Sequence, residues 1–132
     1  MYKSETHLHT KLISACGWLS AEEIIFGYKE KGDDAIAITE YFHRVWLNTS
    51  SISLDQGIDA SEEFLRGYDT VHKAGKKAGI RVYYSAEIRF DENDSDYLLL
   101  GYKKELLNNT DAIFRMGISE FSKIAKQAGA LI

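Results

Sequence analysis

A short, continuously apolar run at residues 35–39 constrains the fold more than any other stretch. The run reads Ala-Ile-Ala-Ile-Thr and lacks the polar alternation of a strand with one solvated face, so it is typical of a strand buried in a parallel sheet. A helical pattern precedes it at residues 21–31, and an earlier strand is predicted at residues 2–9. Strand, helix and strand in succession predict a βαβ unit with a right-handed crossover, and therefore an α/β fold.

The first helix has clear start and stop signals. Ser20 and Glu23 have the spacing of a capping box, in which each side chain binds the backbone of the other residue. Gly32 follows the helix and can adopt the left-handed conformation that ends it. The apolar residues of one face are predicted to point inward: Ile24, Ile25 and Tyr28.

A long connection and a second helix follow the apolar strand. Residues 40–57 have no clean period and are predicted to form a loop, with a short helix near residues 45–47. Asp59 and Glu62 form a looser capping pattern that opens a helix ending near residue 78. One face of that helix is predicted to pack inward through four residues: Phe64, Tyr68, Val71 and Gly75.

The C-terminal half predicts a hairpin and further helices. Residues 80–90 and 97–102 read as strands, and the polar turn at residues 91–96 lets them pair antiparallel. A short helical piece is predicted at 103–108, with a break at Asn108-Asn109-Thr110. A helix at 119–127 and the beginning of another strand at 130–132 follow. The inward face of the last helix is predicted to contain Phe121, Ile124, Ala125 and Ala128.

Length and charge exclude several classes of protein. The chain has 132 residues, about the size of one domain, and a net charge of -4 with scattered basic residues, which does not favour nucleic-acid binding. It lacks both an apolar run long enough to span a membrane and the pattern of a signal peptide. The single cysteine, Cys16, is interpreted as a small packing residue in preference to a metal ligand or nucleophile. We therefore expect a cytoplasmic protein.

Residues suited to metal binding lie where the predicted strands end. His7 and His9 are two residues apart and point to the same side of the first strand. Glu40 and Tyr41 follow the second strand, and Glu87 lies near the end of the third. Because parallel strands collect ligands at their carboxyl ends, these residues are expected to converge. Imidazoles with carboxylates favour Zn²⁺, Mn²⁺ or Fe²⁺ over Ca²⁺ or Mg²⁺.

These motifs resemble a known family, the PHP (polymerase and histidinol phosphatase) domain. The resemblance covers essentially the whole chain and rests on residues 5–10 (ETHLHT), 37–41 (AITEY), 85–90 (SAEIRF) with Asn93, 96–102 (DYLLLGY) and 129–132 (GALI). It implies a distorted, TIM-like (β/α)7 barrel. This chain would form part of such a barrel, with mostly parallel strands and one antiparallel hairpin.

The resemblance also implies a metal site. His7 and His9 match the ligands of the family's first motif, Glu87 matches its bridging carboxylate, and Glu40 occupies the place of its second-motif aspartate. The family holds up to three divalent metal ions, and a metal-bound water attacks a phosphoester. No side chain of this chain is assigned a catalytic role, and the catalytic group is expected to be that water.

The sequence departs from the family pattern in two ways. Tyr41 stands where the family has a histidine, and a phenol is a poor ligand unless it is deprotonated. His43 is an alternative, although a histidine in a loop more often faces solvent. The family's later histidines and its terminal Asp-x-His motif are absent. We therefore expect residues 1–132 to be a single, truncated PHP-like domain, the N-terminal portion of the fold, with fewer than three metals.

The remaining polar candidates are less specific. Lys11 and Arg89 are each as consistent with a solvated charge as with binding a phosphate near the metal. His72, in the second long helix, is expected to be a surface or packing histidine. The acidic turn at residues 91–96 lacks the spacing of a calcium-binding loop and is interpreted as solvated.

Two functions remain open from the sequence. The first is a metal-dependent phosphoesterase, or the N-terminal part of one, that hydrolyses a phosphomonoester or phosphodiester with a phosphorylated small molecule as its partner. The alternative is a degenerate, inactive PHP-like module with a binding or interaction role. In either case an incomplete barrel is expected to expose apolar surface at its open edge and to self-associate there; neither nucleic acid nor membrane is expected as a partner.

Overall fold

The structure is a computed structural model that describes residues 1–49 and 61–132. The predicted capping residue Asp59 and residues 50–57 of the predicted loop lie outside the described residues. In the part described, one helix separates the first two strands and two helices separate the second from the third, so the predicted α/β class is confirmed. Among the described residues, none of the helices is both long enough and apolar enough to cross a membrane.

A four-stranded sheet curls into half of a barrel. The strands lie in chain order: β1 (Ser4–Leu8), β2 (Ala35–Phe42), β3 (Arg81–Arg89) and β4 (Asp96–Leu100). The first three are mutually parallel, and β3 and β4 form the predicted antiparallel hairpin. Leu131 forms a single antiparallel bridge with Leu100, so the residues predicted to begin another strand do reach the sheet.

Five α-helices are described: α1 (Ala21–Glu30), α2 (Arg44–Thr49), α3 (Ser61–Ala78), α4 (Thr110–Met116) and α5 (Ile118–Gln127), with a 3₁₀ helix at Lys104–Leu107. The helix α4 is absent from the sequence prediction, which had only a break there. It follows Asn109, whose φ is +63°, and it is held by the buried side chains of Ile113 and Phe114. Tertiary burial of these two residues stabilises a helix too short to be stable alone.

The local signals around α1 are confirmed. The Ser20 hydroxyl accepts a hydrogen bond from the Glu23 amide at 3.3 Å, and the Ser20 amide donates to Glu23 Oε2 at 2.8 Å. Gly32 has a φ of +75°, the left-handed conformation predicted for the residue that ends the helix. Because both signals depend on neighbours in sequence, they could be recognised without knowledge of the fold.

Two apolar clusters stabilise the sheet. In the first, α1 and α3 pack against strand residues that include Ile36, Ile38 and Val82. In the second, Phe42 lies among side chains from α2, α3 and α4. The face predicted for α3 is confirmed, because all four of its residues are buried: Phe64, Tyr68, Val71 and Gly75.

The face predicted for α5 is only half right. Phe121 and Ala125 are buried, but Ile124 is 37% exposed and Ala128 is exposed. Positions four residues apart lie on one narrow stripe of a helix, and this stripe alone contacts the core. The prediction of Ile124 and Ala128 as inward residues is therefore wrong.

The strand β2 is three residues longer than predicted. Glu40, Tyr41 and Phe42 continue the parallel pairing opposite Ala86, Glu87 and Ile88. The predicted loop therefore begins too early. The short helix expected near residues 45–47 is confirmed as α2, which starts two residues after β2 ends.

Candidate metal centre

Three side chains from β1, its C-terminal end and β3 meet on one face of the sheet. His7 Nε2 lies 3.1 Å from His9 Nε2 and 2.9 Å from Glu87 Oε2. His9 Nε2 lies 3.0 Å from the same oxygen. The structure thus brings together three of the four residues predicted as ligands, although their strands are separated by the whole width of β2.

The sheet register positions these groups. Tyr41 on β2 pairs with Glu87 on β3, and neighbouring residues of parallel strands point to the same face. The Thr39 hydroxyl binds the end of β1, accepting from the Leu8 amide at 3.0 Å and donating to the Leu8 carbonyl at 3.2 Å. The end of β1, between the two histidines, is therefore fixed to β2.

The three ligand candidates differ in exposure. The side chains of His7, His9 and Glu87 are 47%, 14% and 12% exposed, so the site opens to solvent on the His7 side. Burial lowers the pKa of His9, an effect that the nearby Glu87 carboxylate opposes. A lowered pKa keeps the His9 imidazole neutral at neutral pH, which is the form that binds a metal.

The donor set fits a divalent metal ion. The candidate ligand atoms of His7, His9 and Glu87 all lie within 4.8 Å of one another. Zn²⁺ binds imidazole nitrogen and carboxylate oxygen at about 2.0–2.2 Å, so a group of donors this compact can share one ion. Two imidazoles with one carboxylate also suit Mn²⁺ and Fe²⁺.

Glu40 is not part of this cluster. Alternation along β2 directs it to the opposite face from Tyr41, where it is 1% exposed. Its Oε1 accepts from the Thr10 amide at 3.0 Å and from the Thr10 hydroxyl, and its Oε2 accepts from the Ser14 hydroxyl at 2.5 Å. Burial raises the pKa of Glu40, and these hydrogen bonds oppose that shift.

Ser14 is a site residue that the sequence did not predict. It is 2% exposed, and its Oγ lies 3.0 Å from His9 Nδ1 as well as against Glu40. Ser14 lies in an aperiodic loop five residues after His9, and no spacing rule distinguishes it from the other hydroxyl residues there. Only the folded loop shows that it connects a ligand candidate to a buried carboxylate.

Tyr41 lies beside the cluster. Its ring packs on the His9 ring with centroids 4.6 Å apart. The hydrogen bond that the Tyr41 hydroxyl forms with Cys16, whose Sγ lies 3.4 Å away, favours the protonated phenol and raises the pKa of Tyr41 to about 12, and burial adds to the shift. The phenol therefore stays protonated and is poorly suited to bind metal. Cys16 is exposed, so its interpretation as a packing residue is wrong.

His43 is buried, which contradicts the expectation that a loop histidine faces solvent. It is 7% exposed, and its Nδ1 accepts a hydrogen bond from the Trp46 amide at 3.0 Å. It therefore caps the first turn of α2. Its ring packs against Tyr41 with centroids 5.1 Å apart, and it is not among the three clustered residues.

The predicted phosphate contacts are also outside the cluster. Arg89 forms a two-pronged ion pair with Asp96, with both N–O distances 2.7 Å, so its charge is already paired. Lys11 is exposed and lines a separate cleft of about 380 Å³ between the loop after β1 and the helices α1 and α3. His72 is exposed and stacks on Tyr68, in agreement with its surface interpretation.

The cap formed by His43 makes stability depend on pH. Burial lowers the pKa of His43 below 6.5, and Arg89 lowers it further. Above pH 6.5 the imidazole is neutral in both states; below it the unfolded chain binds the proton first, so stability falls as the pH falls. The contribution of His43 is expected to decrease by up to about 1.4 kcal/mol per pH unit until the folded group also titrates.

Urea denaturation between pH 7.5 and pH 5 measures this contribution as a difference between wild type and His43→Asn. Asparagine keeps an acceptor for the Trp46 amide but does not titrate in this range. The variant is expected to lose less stability on acidification than wild type. Parallel pH profiles would contradict the assignment of the cap.

Comparison with solved structures places this fold among known proteins. A two-domain protein of Bacteroides vulgatus containing a predicted PHP-like metal-dependent phosphoesterase superimposes with a TM-score of 0.65 at 17% identity, over 98% of this chain. The fold is PHP-like. An amidohydrolase of Chromobacterium violaceum, with bound sulfate and no metal, matches 77% of this chain and 28% of its own with a TM-score of 0.50 at 15% identity.

A third solved structure, a candidate metal-dependent phosphoesterase of Bifidobacterium adolescentis, gives a TM-score of 0.46 at 18% identity over 75% of this chain and 27% of its own. Neither a protein-family model nor a curated protein matches the sequence. This chain spans 33% of the length of the Bacteroides protein. The likeness to the Bacteroides protein, at 17% identity, shows the fold alone, and the predicted partial TIM-like barrel is confirmed.

Proposed function

We propose that this chain binds a divalent metal ion through His7, His9 and Glu87 and takes part in phosphoester hydrolysis. The observation that carries the proposal is the convergence of two imidazole nitrogens on one carboxylate oxygen, at 2.9 Å and 3.0 Å. The Bacteroides protein, which contains a predicted PHP-like metal-dependent phosphoesterase, has a similar fold, and this similarity supports the choice of reaction.

Each residue has a distinct part in this proposal. His9 and Glu87, the more buried pair, hold the ion, while the more exposed His7 completes the site on its open side. A bound Zn²⁺, Mn²⁺ or Fe²⁺ supplies a Lewis acid for the phosphoryl oxygen and lowers the pKa of water. The described residues provide one cluster of three ligands, so we propose one metal ion, fewer than the maximum of three that the family holds.

Hydrolysis of p-nitrophenyl phosphate and of bis(p-nitrophenyl) phosphate tests the function for the two ester classes. Protein stripped with a chelator is expected to be inactive and to regain turnover when Zn²⁺, Mn²⁺ or Fe²⁺ is added. His9→Ala is expected to lower that turnover at least about 100-fold, because loss of a residue that merely hydrogen-bonds a metal ligand already lowers activity about 10–100-fold. Turnover that is independent of metal or of His9 would contradict the proposal.

The second candidate function is an inactive module that binds metal without turnover. The observation that favours it is Tyr41, a protonated phenol packed on His9 where the resemblance places a histidine ligand. Stoichiometric metal bound through the cluster, with no hydrolysis of either ester, would support this alternative.

A phosphorylated small-molecule partner, cytoplasmic location and self-association at the open barrel edge remain part of the proposal.

A further inference from the structure

The Ser14 hydroxyl lies at the centre of a buried hydrogen-bond network behind the cluster. Its Oγ is 3.0 Å from His9 Nδ1 and 2.5 Å from Glu40 Oε2, and it accepts from the Tyr41 amide at 3.3 Å. Ser14 and Glu40 are 2% and 1% exposed, so water does not easily replace these partners. The number of hydrogen bonds that the Ser14 hydroxyl can donate and accept therefore determines whether His9 Nδ1 donates or accepts in its contact with Ser14.

We propose that Ser14 is a positioning residue that keeps the His9 proton on Nδ1, so that Nε2 presents its lone pair to the metal ion. This inference rests on the metal-binding function proposed above. A hydroxyl has one proton to donate and two lone pairs that accept. Ser14 donates its proton to Glu40, and one lone pair accepts from Tyr41. The remaining lone pair requires a donor, which is His9 Nδ1–H.

The direction of the Ser14–Glu40 bond follows from the other contacts of Glu40. Its Oε1 faces two donors of Thr10, the amide and the hydroxyl. Both Thr10 donors face Oε1, which suits an ionised carboxylate, and the Oε2 of such a carboxylate accepts the proton of the Ser14 hydroxyl. Glu40 therefore orients the Ser14 hydroxyl, although it does not touch the cluster.

The helix α3 holds Glu40 in this position. A Cβ atom on Gly67 would lie 2.7 Å from Glu40 Oε1 and 2.8 Å from Ile13 Cγ1, closer than side-chain atoms can approach. The missing side chain at Gly67 thus lets α3 cover the Glu40 carboxylate directly. Glu40, which the sequence predicted as a ligand, is assigned instead to the support of His9.

Ligand histidines commonly donate their second ring N–H to a neighbouring group, and loss of that partner lowers metal affinity or activity about 10–100-fold. We therefore expect Ser14→Ala to weaken Zn²⁺ binding about 10–100-fold in calorimetric titration. Ser119→Ala, at an exposed position of α5, is the matched control and should bind Zn²⁺ as wild type does.

Two larger variants separate the hydroxyl from packing. Ser14→Thr and Ser14→Val have nearly the same shape, so they disturb the buried site equally, but only threonine keeps the hydroxyl. Without a metal ion, the Glu87 carboxylate 3.0 Å from His9 Nε2 favours a proton on that nitrogen, so the tautomer is compared in proteins that also carry Glu87→Ala. Long-range ¹H–¹⁵N NMR spectra of these metal-free proteins report which His9 nitrogen carries the proton. With Ser14 or Ser14→Thr we expect Nδ1–H, while Ser14→Val and Ser14→Ala should show a mixture with Nε2–H.

The tautomer measurement and the titration fail in distinguishable ways. If wild-type protein binds no Zn²⁺, the proposed function fails, while the NMR comparison still tests the role of Ser14. If Ser14→Val shows the same His9 tautomer and the same Zn²⁺ affinity as Ser14→Thr, the positioning role is overturned. Equal loss of Zn²⁺ affinity in both variants, with an unchanged tautomer, would also overturn it.

Discussion

Glu87→Ala is expected to lower the affinity of the protein for Zn²⁺ or Mn²⁺ by at least about 100-fold. Removing a residue that only hydrogen-bonds a metal ligand already costs up to about 100-fold, and Glu87 is itself a proposed ligand. Glu87 supplies the only negative charge in the cluster described, and both histidine Nε2 atoms lie within 3.0 Å of its Oε2. Its loss leaves two imidazole donors without the carboxylate that attracts a cation. Calorimetric titration of metal-free protein measures the change.

Two further variants define what is lost. Glu87→Gln keeps the volume of the side chain but removes its charge, so a comparable loss of affinity would assign the effect to the carboxylate. Glu105→Ala removes an exposed carboxylate from the 3₁₀ helix and is expected to leave affinity unchanged. Equal affinities of Glu87→Ala and wild type would show that the cluster does not bind the metal.

Phe42→Ala is expected to destabilise the fold by about 3–5 kcal/mol, the usual cost of removing a buried aromatic ring. Phe42 is 0% exposed at the end of β2. Its ring centroid lies 4.9 Å from that of Phe64, 5.1 Å from that of Phe114 and 6.5 Å from that of Trp46. One truncation therefore opens a cavity between three helices and the sheet.

Urea denaturation followed by circular dichroism measures this loss without relying on Trp46, which lies beside the mutated ring. Phe26→Ala is the matched control, since Phe26 is 69% exposed on α1 and its truncation should change stability by no more than about 0.5 kcal/mol. A small effect at Phe42, similar to that at Phe26, would mean that the second apolar cluster is not packed as described.

The parts of the fold that sequence predicted well depend on near neighbours. The capping box of Ser20 and Glu23 is local, and so is the apolar run that marks β2 as a buried strand. The pair His7 and His9 was recognisable because alternate strand residues share a face. Glu87 could be added because strand ends converge in parallel sheets, which is a general property of the α/β class.

The error at Glu40 has a clear physical origin. The apolar pattern ends at Thr39, which predicts that Glu40 and Tyr41 both lie at the strand end. The strand continues to Phe42, and its alternation sends Glu40 and Tyr41 to opposite faces. Ser14 then becomes the link between Glu40 and His9, a contact between three segments that no local pattern encodes.

His43 and α4 show a different limit. His43 is buried because its Nδ1 caps α2, a role usually taken by serine, threonine, aspartate or asparagine. The helix α4 begins after an asparagine in the left-handed conformation and is stabilised by burial of Phe114. In both places tertiary packing overrides a weak local preference.

A metal ion bound between β1 and β3 is the central feature of the proposed function. Crystals grown with ZnCl₂ and measured at the zinc absorption edge locate such an ion by its anomalous scattering. We expect a peak within about 2.0–2.2 Å of His7 Nε2, His9 Nε2 and a Glu87 oxygen, the usual zinc–ligand distances. Anomalous peaks only at other positions, with the three side chains still hydrogen-bonded to one another, would contradict the proposed metal site.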